Sequence, residues 1–193
     1  VFASSDVLGI PGVDIAFLRA ADLDQDGTPE VLGVASSGEA YVFDVSGTSL
    51  QIDFGISPLD FGGSATGVVV RDLTGDGKLN IAVSDRTSVR VRENQGGTSW
   101  APAVRLLANI STQGLAAADL DGDGKVDLAV ANGHALSVSV ILNAGGGAFK
   151  PHVVYPVGNT PWAVQAVDLD GDGKRDLAVA NAAGGSVSVL KGR

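Results

Sequence analysis

The 193-residue sequence contains no cysteine and no methionine, and only two tryptophans and two tyrosines. The absence of cysteine excludes a disulfide framework, a zinc–thiolate site and a cysteine nucleophile. The longest apolar runs, such as residues 128–131, are far too short to span a bilayer. Because the sequence shows neither a signal peptide nor an initiator methionine, we expect a mature or trimmed chain.

Basic residues are also scarce. Thirteen Lys and Arg residues stand against 22 Asp and Glu residues, so the formal net charge is −9. An acidic surface repels phosphate groups, and nucleic acid is therefore not an expected partner. Hydrophobic residues make up 45% of the chain and charged residues 18%, which is typical of a packed globular protein. The 27 glycines predict many tight turns.

An acidic nonapeptide occurs four times, and its copies begin at Asp22, Asp72, Asp119 and Asp168, which are 50, 47 and 49 positions apart. An apolar segment precedes each copy, a second follows it, and an alternating segment comes next. These segments are short, rich in Val and Ala, and bounded by Gly, Asn or Asp, which is typical of β-strands. They lie at residues 15–21, 31–35 and 40–45; 67–71, 81–84 and 88–92; 115–118, 128–131 and 137–142; and 163–167, 177–180 and 186–190.

No stretch has a sustained helical period, so the sequence predicts an all-β protein. A repeat of about 40–50 residues with about four short antiparallel strands is typical of a β-propeller blade. A β-solenoid is the alternative, although its repeats are usually shorter. We expect a single domain over residues 1–193, with blade repeats at about 1–49, 50–98, 99–147 and 148–193.

The phase of the repeat predicts how the propeller closes. Phe2 lies 20 residues before Asp22, and Phe149 lies 19 residues before Asp168, so the N-terminal segment aligns with the one that Phe149 leads. The fourth repeat reaches only its third predicted strand. Residues 1–8 would then supply the missing strand and close a four-bladed ring without exposed sheet edges. The alternatives are four blades of a larger ring, or half of a ring completed by a second subunit.

The nonapeptides, named loops one to four here, have the pattern of a loop that wraps around a hard cation. Side chains at positions one, three and five point inward, glycine at position six allows a sharp turn, and a carbonyl at position seven and a side chain at position nine complete the shell. The predicted ligands are Asp22, Asp24, Asp26, Thr28 and Glu30; Asp72, Thr74, Asp76, Lys78 and Asn80; Asp119, Asp121, Asp123, Lys125 and Asp127; and Asp168, Asp170, Asp172, Lys174 and Asp176.

The charge count supports metal binding. Of the 22 acids, 14 lie at side-chain ligand positions of the loops, where they repel one another without a cation. Asp-Gly loops also make good turns, but a turn does not need the same spaced acids four times. All-oxygen ligands favour Ca²⁺, with Mg²⁺ or Mn²⁺ second, and we expect up to four ions. Loop two has Thr74 and Asn80 in place of acids, so its site should be the weakest.

The run from Val167 to Asn181, followed by Gly-Gly-Ser-Val-Ser-Val-Leu, resembles the FG-GAP/VCBS repeat of integrin α-chain propellers, bacterial surface proteins and some lectins. The resemblance covers nearly the whole chain and is most specific in copies three and four. The Phe-Gly pair that gives the family its name appears at Phe54-Gly55 and Phe61-Gly62. The family usually builds seven blades. The resemblance implies a secreted or cell-surface, Ca²⁺-bearing module for cell adhesion or lectin-like binding.

The sequence favours a binding module over an enzyme. His134 and His152 have no acid or nucleophile pattern beside them, no Gly-x-Ser-x-Gly elbow is present, and we predict no catalytic residue. A glycan or protein is the expected ligand, and an oligomer is possible. There are two alternatives: a purely structural repeat domain of a larger surface protein, and a metal-dependent hydrolase.

Two tryptophans receive different predictions from their places in the repeat. Trp162 stands where the other copies carry Ala16, Thr66 and Gln113, so it is a candidate ligand-binding platform or a locally tolerated packing residue. Trp100 shares its place with Phe149, and we predict that it lies in the core.

Overall fold

The computed structural model describes residues 10–46, 49–52, 58–97, 99–108 and 111–193. Across these ranges all regular secondary structure is β-strand, and every strand pairing is antiparallel. The all-β prediction is confirmed. The predicted strand of residues 1–8, Phe2 and the Phe54-Gly55 pair lie outside the described residues. No helix in the described part of the chain is long and apolar enough to cross a membrane.

Apart from two small two-stranded hairpins, the described strands form four successive sheets. Sheet one consists of β1 (Ile15–Ala21), β2 (Glu30–Ala35), β3 (Glu39–Ser46), β4 (Ser49–Ile52) and β5 (Leu59–Asp60). Its strands lie in the order β1-β2-β3, and both β4 and β5 pair with β3. The first four strands are therefore joined by simple hairpins, which is the expected blade topology, and β5 returns to pair with the beginning of β3.

Sheets two and three each have four strands. Sheet two contains β6 (Gly67–Arg71), β7 (Asn80–Ser84) and β8 (Ser88–Arg92); a small hairpin of β9 (Asn94–Gly96) and β10 (Ser99–Trp100) follows, and then the outer strand β11 (Val104–Leu107). Sheet three contains β12 (Thr112–Ala118), β13 (Asp127–Asn132) and β14 (Ser137–Ile141), then the hairpin of β15 (Asn143–Gly145) and β16 (Ala148–Phe149), and the outer strand β17 (Val153–Pro156). The outer strand pairs with the third strand in both sheets.

Sheet four has three described strands, β18 (Pro161–Val167), β19 (Asp176–Asn181) and β20 (Ser186–Leu190), in that order. The sheets cross the predicted repeat boundaries. The outer strands β11 and β17 follow Trp100 and Phe149, which lie at the beginning of the next predicted repeat. All twelve strands predicted from the sequence are present, with ends that differ by at most three residues. Position nine of every loop is already the first residue of a strand, one residue earlier than predicted.

Consecutive sheets pack face to face. The first strands of the four sheets contact one another in order, β1 with β6, β6 with β12 and β12 with β18. Together they line a cavity of about 460 Å³. Three core clusters fill the spaces between sheets one and two, two and three, and three and four. Trp100 packs against the first cluster and Phe149 against the second, so the predicted core position of Trp100 is confirmed.

Candidate metal centre

Each acidic loop connects the first strand of a sheet to the second. Because these two strands are antiparallel neighbours, the loop ends are held close together. The chain reverses sharply inside the loop, where the position-six glycines have φ values between 83° and 93°. A side chain there would be strained, and glycine adopts this left-handed region without penalty. These glycines are Gly27, Gly77, Gly124 and Gly173.

The first aspartate organises the backbone of the loop. In loop three, Asp119 Oδ1 accepts a hydrogen bond from the Gly122 amide at 2.8 Å, and Asp119 Oδ2 accepts one from Gly124 at 2.9 Å. Asp168 makes the same two contacts in loop four. Both oxygens therefore face into the loop, which is the orientation that a cation ligand needs.

The ninth residue closes the loop from the buried side. Glu30, Asn80, Asp127 and Asp176 are all at most 6% exposed, and each accepts a hydrogen bond from the backbone amide of the loop's leucine at 2.6–3.0 Å. In loops three and four the other carboxylate oxygen accepts a second backbone hydrogen bond, from Asn143 or Gly192. These hydrogen bonds hold the ninth side chains in place at the buried side of each loop.

Three loops bring several acids to one point. Carboxylate oxygens of each group lie within 4.8 Å of one another in loops one, three and four. The groups are Asp22, Asp24, Asp26 and Glu30; Asp119, Asp121 and Asp127; and Asp168, Asp170 and Asp176. Positions one, three and nine thus converge in all three loops, as the spacing predicts.

The fifth and seventh positions are arranged differently from the prediction in two loops. Asp123 and Asp172 lie outside the acidic groups, and each pairs with the lysine at position seven, Lys125 or Lys174. The backbone amide of the seventh residue also donates to the fifth aspartate in every loop, at 2.7–3.0 Å. The lysine ammonium groups therefore lie beside the fifth carboxylates and offset their charge. The seventh residues are Thr28, Lys78, Lys125 and Lys174.

Loop two lacks a comparable acidic group among the described residues. The Thr74 hydroxyl donates to Asp76 at 2.9 Å, and Lys78 Nζ lies 2.6 Å from the same carboxylate. The Lys78 side chain lowers the pKa of Asp76 to about 2. The Nδ2 atom of Asn80 is buried and has no hydrogen-bond acceptor within the described ranges. At the same position the other loops have a carboxylate oxygen.

Burial and neighbouring acids both raise the pKa of two ninth-position carboxylates, Asp127 and Glu30. Burial raises the pKa of Asp127, and the nearby charges of Asp121 and Asp123 raise it further. Burial likewise raises the pKa of Glu30, with Asp24 and Asp22 adding to the effect. A divalent cation at the centre of such a group would favour the ionised carboxylates and reverse this tendency.

The donor set fits a hard cation. Asp22 Oδ1 is buried and has no hydrogen-bond partner in the described part of the chain, although the residue belongs to the four-acid group of loop one. A buried carboxylate oxygen without a partner is costly unless a cation binds it. All the converging atoms are oxygens, which suits Ca²⁺ better than a transition metal. Bound Ca²⁺ would supply positive charge that holds the loop together.

Two asparagines that the sequence analysis missed connect the loops to neighbouring sheets. Asn94 Nδ2 donates to the carbonyl oxygen of Leu23 in loop one, and Asn143 Nδ2 donates to that of Leu73 in loop two. Both asparagines are buried and begin the small hairpin after a third strand. Their shared Asn-x-Gly sequence was the available signal, because it occupies the same place in two repeats.

Trp162 lies away from the loops, at the opposite end of the first strand of sheet four, and is 59% exposed. Most of the Trp162 side chain is therefore accessible to solvent. The two tyrosines lie on strands: Tyr41 donates its hydroxyl to Glu39 at 3.1 Å, and Tyr155 is exposed on β17.

The four antiparallel sheets, stacked face to face and each carrying one loop, define a propeller-like repeat protein. The FG-GAP-like repeat model matches residues 22–83, 72–130 and 119–179. The chain belongs to the FG-GAP repeat family. No curated protein matches the sequence.

Solved structures with a similar fold come from several sources. An Agrocybe aegerita lectin that recognises non-reducing terminal N-acetylglucosamine has a TM-score of 0.63 at 22% identity, over 93% of this chain and 52% of the lectin. BBS1N, solved in complex with ARL6DN, has a TM-score of 0.62 at 16% identity, over 97% of this chain and 55% of BBS1N. The Vibrio cholerae biofilm matrix protein Bap1 has a TM-score of 0.53 at 20% identity, over 93% of this chain and 31% of Bap1. The chain thus spans about half the length of the first two.

Proposed function

We propose that this chain is a calcium-stabilised, non-catalytic recognition module of an extracellular protein. The observation that carries the proposal is the convergence of the first, third and ninth side chains in three loops, together with the partnerless buried oxygen of Asp22. Ca²⁺ would bind loops one, three and four most tightly and loop two most weakly. The ion has a structural role, because each loop connects two paired strands and lies beside the next sheet.

Recognition of a glycan is the favoured activity. Trp162 offers an exposed aromatic face of the kind that stacks on sugars, and it lies outside the metal loops. The similarity to a lectin supports this choice at the level of the fold. A protein ligand is the second candidate, supported by the similarity to BBS1N, which was solved bound to a protein.

A glycan array probed with the Ca²⁺-loaded chain, with and without EDTA, tests the proposal. The favoured reading predicts sugar-selective binding that is lost on replacement Trp162→Ala and retained in Trp162→Phe, which keeps an aromatic ring. Absence of binding to every glycan would contradict the lectin reading. Unchanged binding by Trp162→Ala would contradict the assignment of this residue.

A purely structural role within a larger assembly is supported by a different observation. Several apolar side chains of sheets one and four are exposed although their counterparts in other sheets are buried.

A further inference from the structure

The cavity between the first strands of the four sheets contains neither Trp162 nor any of the predicted metal ligands. It has a volume of about 460 Å³ and is lined by β1, β6, β12 and β18, together with Leu79 at the end of loop two. Its only charged lining residues are two arginines, Arg19 and Arg71. In a chain with 22 acidic and 13 basic residues, a cavity of this kind has a charge opposite to that of the whole protein. Such a cavity attracts anions.

Arg19 is held between sheets one and two. Its Nη1 donates to the carbonyl oxygen of Leu18 at 2.8 Å, and its Nη2 donates to that of Val68 in sheet two at 2.9 Å. A guanidinium has more N–H groups than these two bonds use, so donors remain for a ligand. Within the described part of the chain, no carboxylate forms an ion pair with Arg19. Backbone carbonyls thus orient the group, and its charge has no ionic partner in those ranges.

Arg71 faces the same cavity from the neighbouring sheet. It lies two residues after Val69 on β6, so both side chains are on one side of the strand, and Val69 packs against the cluster between sheets two and three. Arg71 Nη1 donates to the carbonyl oxygen of Val70 at 2.8 Å. No acid in the described ranges forms an ion pair with it either. Both arginines therefore lie inside the stack of sheets and not on its outer faces.

The repeat itself does not require either arginine. Arg19 is the third residue before loop one, and Arg71 is the residue directly before loop two. The other copies carry uncharged residues at these two places: Val69, Ala116 and Gln165 at the first, and Ala21, Ala118 and Val167 at the second. A blade is thus built without charge at either place. Two cations in one cavity repel each other, and a bound anion would remove that repulsion.

We propose that this cavity binds a small organic acid through its carboxylate group. Arg19 and Arg71 hold the carboxylate, because the planar N–H groups of a guanidinium match its two oxygens. The third polar lining residue, Gln165, offers its amide to a hydroxyl or carbonyl group of the ligand.

The remaining walls decide between an organic acid and an inorganic anion. All the other lining residues are Ala, Val or Leu, which suit the carbon skeleton of an organic acid. An inorganic anion such as sulfate would be desolvated against these apolar walls without polar partners on that side. The volume lies within the range of small-molecule sites, roughly 300–1,000 Å³. The site does not include Trp162 and is independent of the proposed glycan binding.

Calorimetric titration in millimolar Ca²⁺ tests the site with two matched pairs of probes. Acetate is compared with acetamide, and glucuronate with glucose, because the members of each pair are similar in size and only the first is charged. The wild-type chain should bind the carboxylates and neither neutral compound. Arg19→Gln and Arg71→Gln should each weaken carboxylate binding by about tenfold or more, since each removes a charged donor. Arg71→Lys keeps the charge without the planar donors and should bind with intermediate affinity.

Arg105→Gln is the matched control. Arg105 lies on the outer strand β11, outside the cavity, and donates to the hydroxyl of Thr87 at 3.2 Å. Its replacement removes the same charge from the chain and should leave carboxylate binding unchanged. Arg71→Gln breaks only a hydrogen bond to the adjacent residue of the same strand, so it should melt at the same temperature as the wild-type chain.

Four results would overturn the proposal. The first is a wild-type chain that binds neither carboxylate, and the second is tighter binding of inorganic sulfate than of both carboxylates. The third is unchanged binding by a folded Arg71→Gln variant, because the carboxylate would then be bound elsewhere, for example at Ca²⁺ in a loop. The fourth is equal weakening by Arg105→Gln, which would show an effect of net charge and not of this cavity. None of these results bears on the sugar selectivity tested with Trp162.

Discussion

The side-chain amide of Asn143 donates a 2.8 Å hydrogen bond to the carbonyl oxygen of Leu73, 70 residues earlier in the chain. Leu73 lies in loop two and is fully buried, and Asn143 begins the hairpin that follows the third strand of sheet three. The bond therefore joins the loop of one sheet to its neighbour. The backbone amide of Asn143 also binds Asp127 of loop three. One residue thus links two consecutive loops.

Replacing Asn143 by Ala should lower the free energy of unfolding by about 2 kcal/mol, because the buried carbonyl oxygen of Leu73 would lose its donor. The exposed Asn159 serves as a control, and Asn159→Ala should change stability little. Urea unfolding in excess Ca²⁺ measures both. Equal stability of the two variants would show that the inter-sheet link has no energetic role.

Loop two should bind Ca²⁺ most weakly, because Asp72 and Asp76 are its only acids. Replacing Thr74 and Asn80 together by Asp should tighten this site by on the order of tenfold to a hundredfold, since the number of charged ligands tunes Ca²⁺ affinity. The reciprocal double replacement in loop three, Asp121→Thr with Asp127→Asn, should lower the Ca²⁺ affinity of that loop. Calorimetric titration measures these changes. Four equivalent sites in the wild-type chain would contradict the assignment.

Asp85 should stabilise the fold in a pH-dependent way, independently of the metal loops. Burial favours its neutral form, but hydrogen bonds from the Thr87 amide, the Ser88 hydroxyl and Arg90 Nε outweigh burial and lower its pKa. A lowered pKa means that the ionised group contributes stability above its unfolded value of about 3.9, and that this contribution is lost as the pH falls through the folded value.

Asp85→Ala should therefore cost about 2–3 kcal/mol at neutral pH, and the cost should shrink as the pH falls below about 4. The free energy of unfolding of the variant is compared with that of the wild-type chain at each pH. Both proteins carry identical loops, so titration of the loop acids cancels in the difference. A pH-independent difference in the free energy of unfolding would contradict the role of the Asp85 charge.

The strands and the loops could be predicted from the sequence because both are local patterns. The apolar segments on either side of Asp119, for example, have strand length and composition, and the spacing of its loop acids is sufficient to place three of them together. Four repetitions made each pattern easier to recognise. These are interactions between residues a few positions apart, which a single repeat already contains.

The contacts between sheets could not be predicted in the same way. Val138 and Val187 have identical flanking residues, Ser-Val-Ser-Val, yet one is buried and the other exposed. Sheet four packs over Val138, whereas no sheet among the described residues packs over Val187. The bond from Asn143 to Leu73 likewise joins distant residues. The pairing of Asp123 with Lys125 is local. It could not be predicted because the lysine side chain is flexible and can either extend into solvent or contact a carboxylate.

Calcium should contribute a large part of the stability of this fold, because the ion binds loops that exist only when their strands are paired. A site saturated at about a hundred times its dissociation constant adds about 2.7 kcal/mol. Three or four such sites are comparable with the whole stability of an ordinary domain, about 5–15 kcal/mol. Asp121→Ala and Asp170→Ala should each reproduce part of the effect of metal removal. Asp14→Ala, an exposed acid outside the loops, should not.

The most direct test of the calcium role is the melting temperature of the wild-type chain in EDTA compared with millimolar Ca²⁺. The structure predicts a steep fall in EDTA, because the loop acids would then repel one another without a cation. Equal melting temperatures in the two solutions would contradict a structural role for the metal.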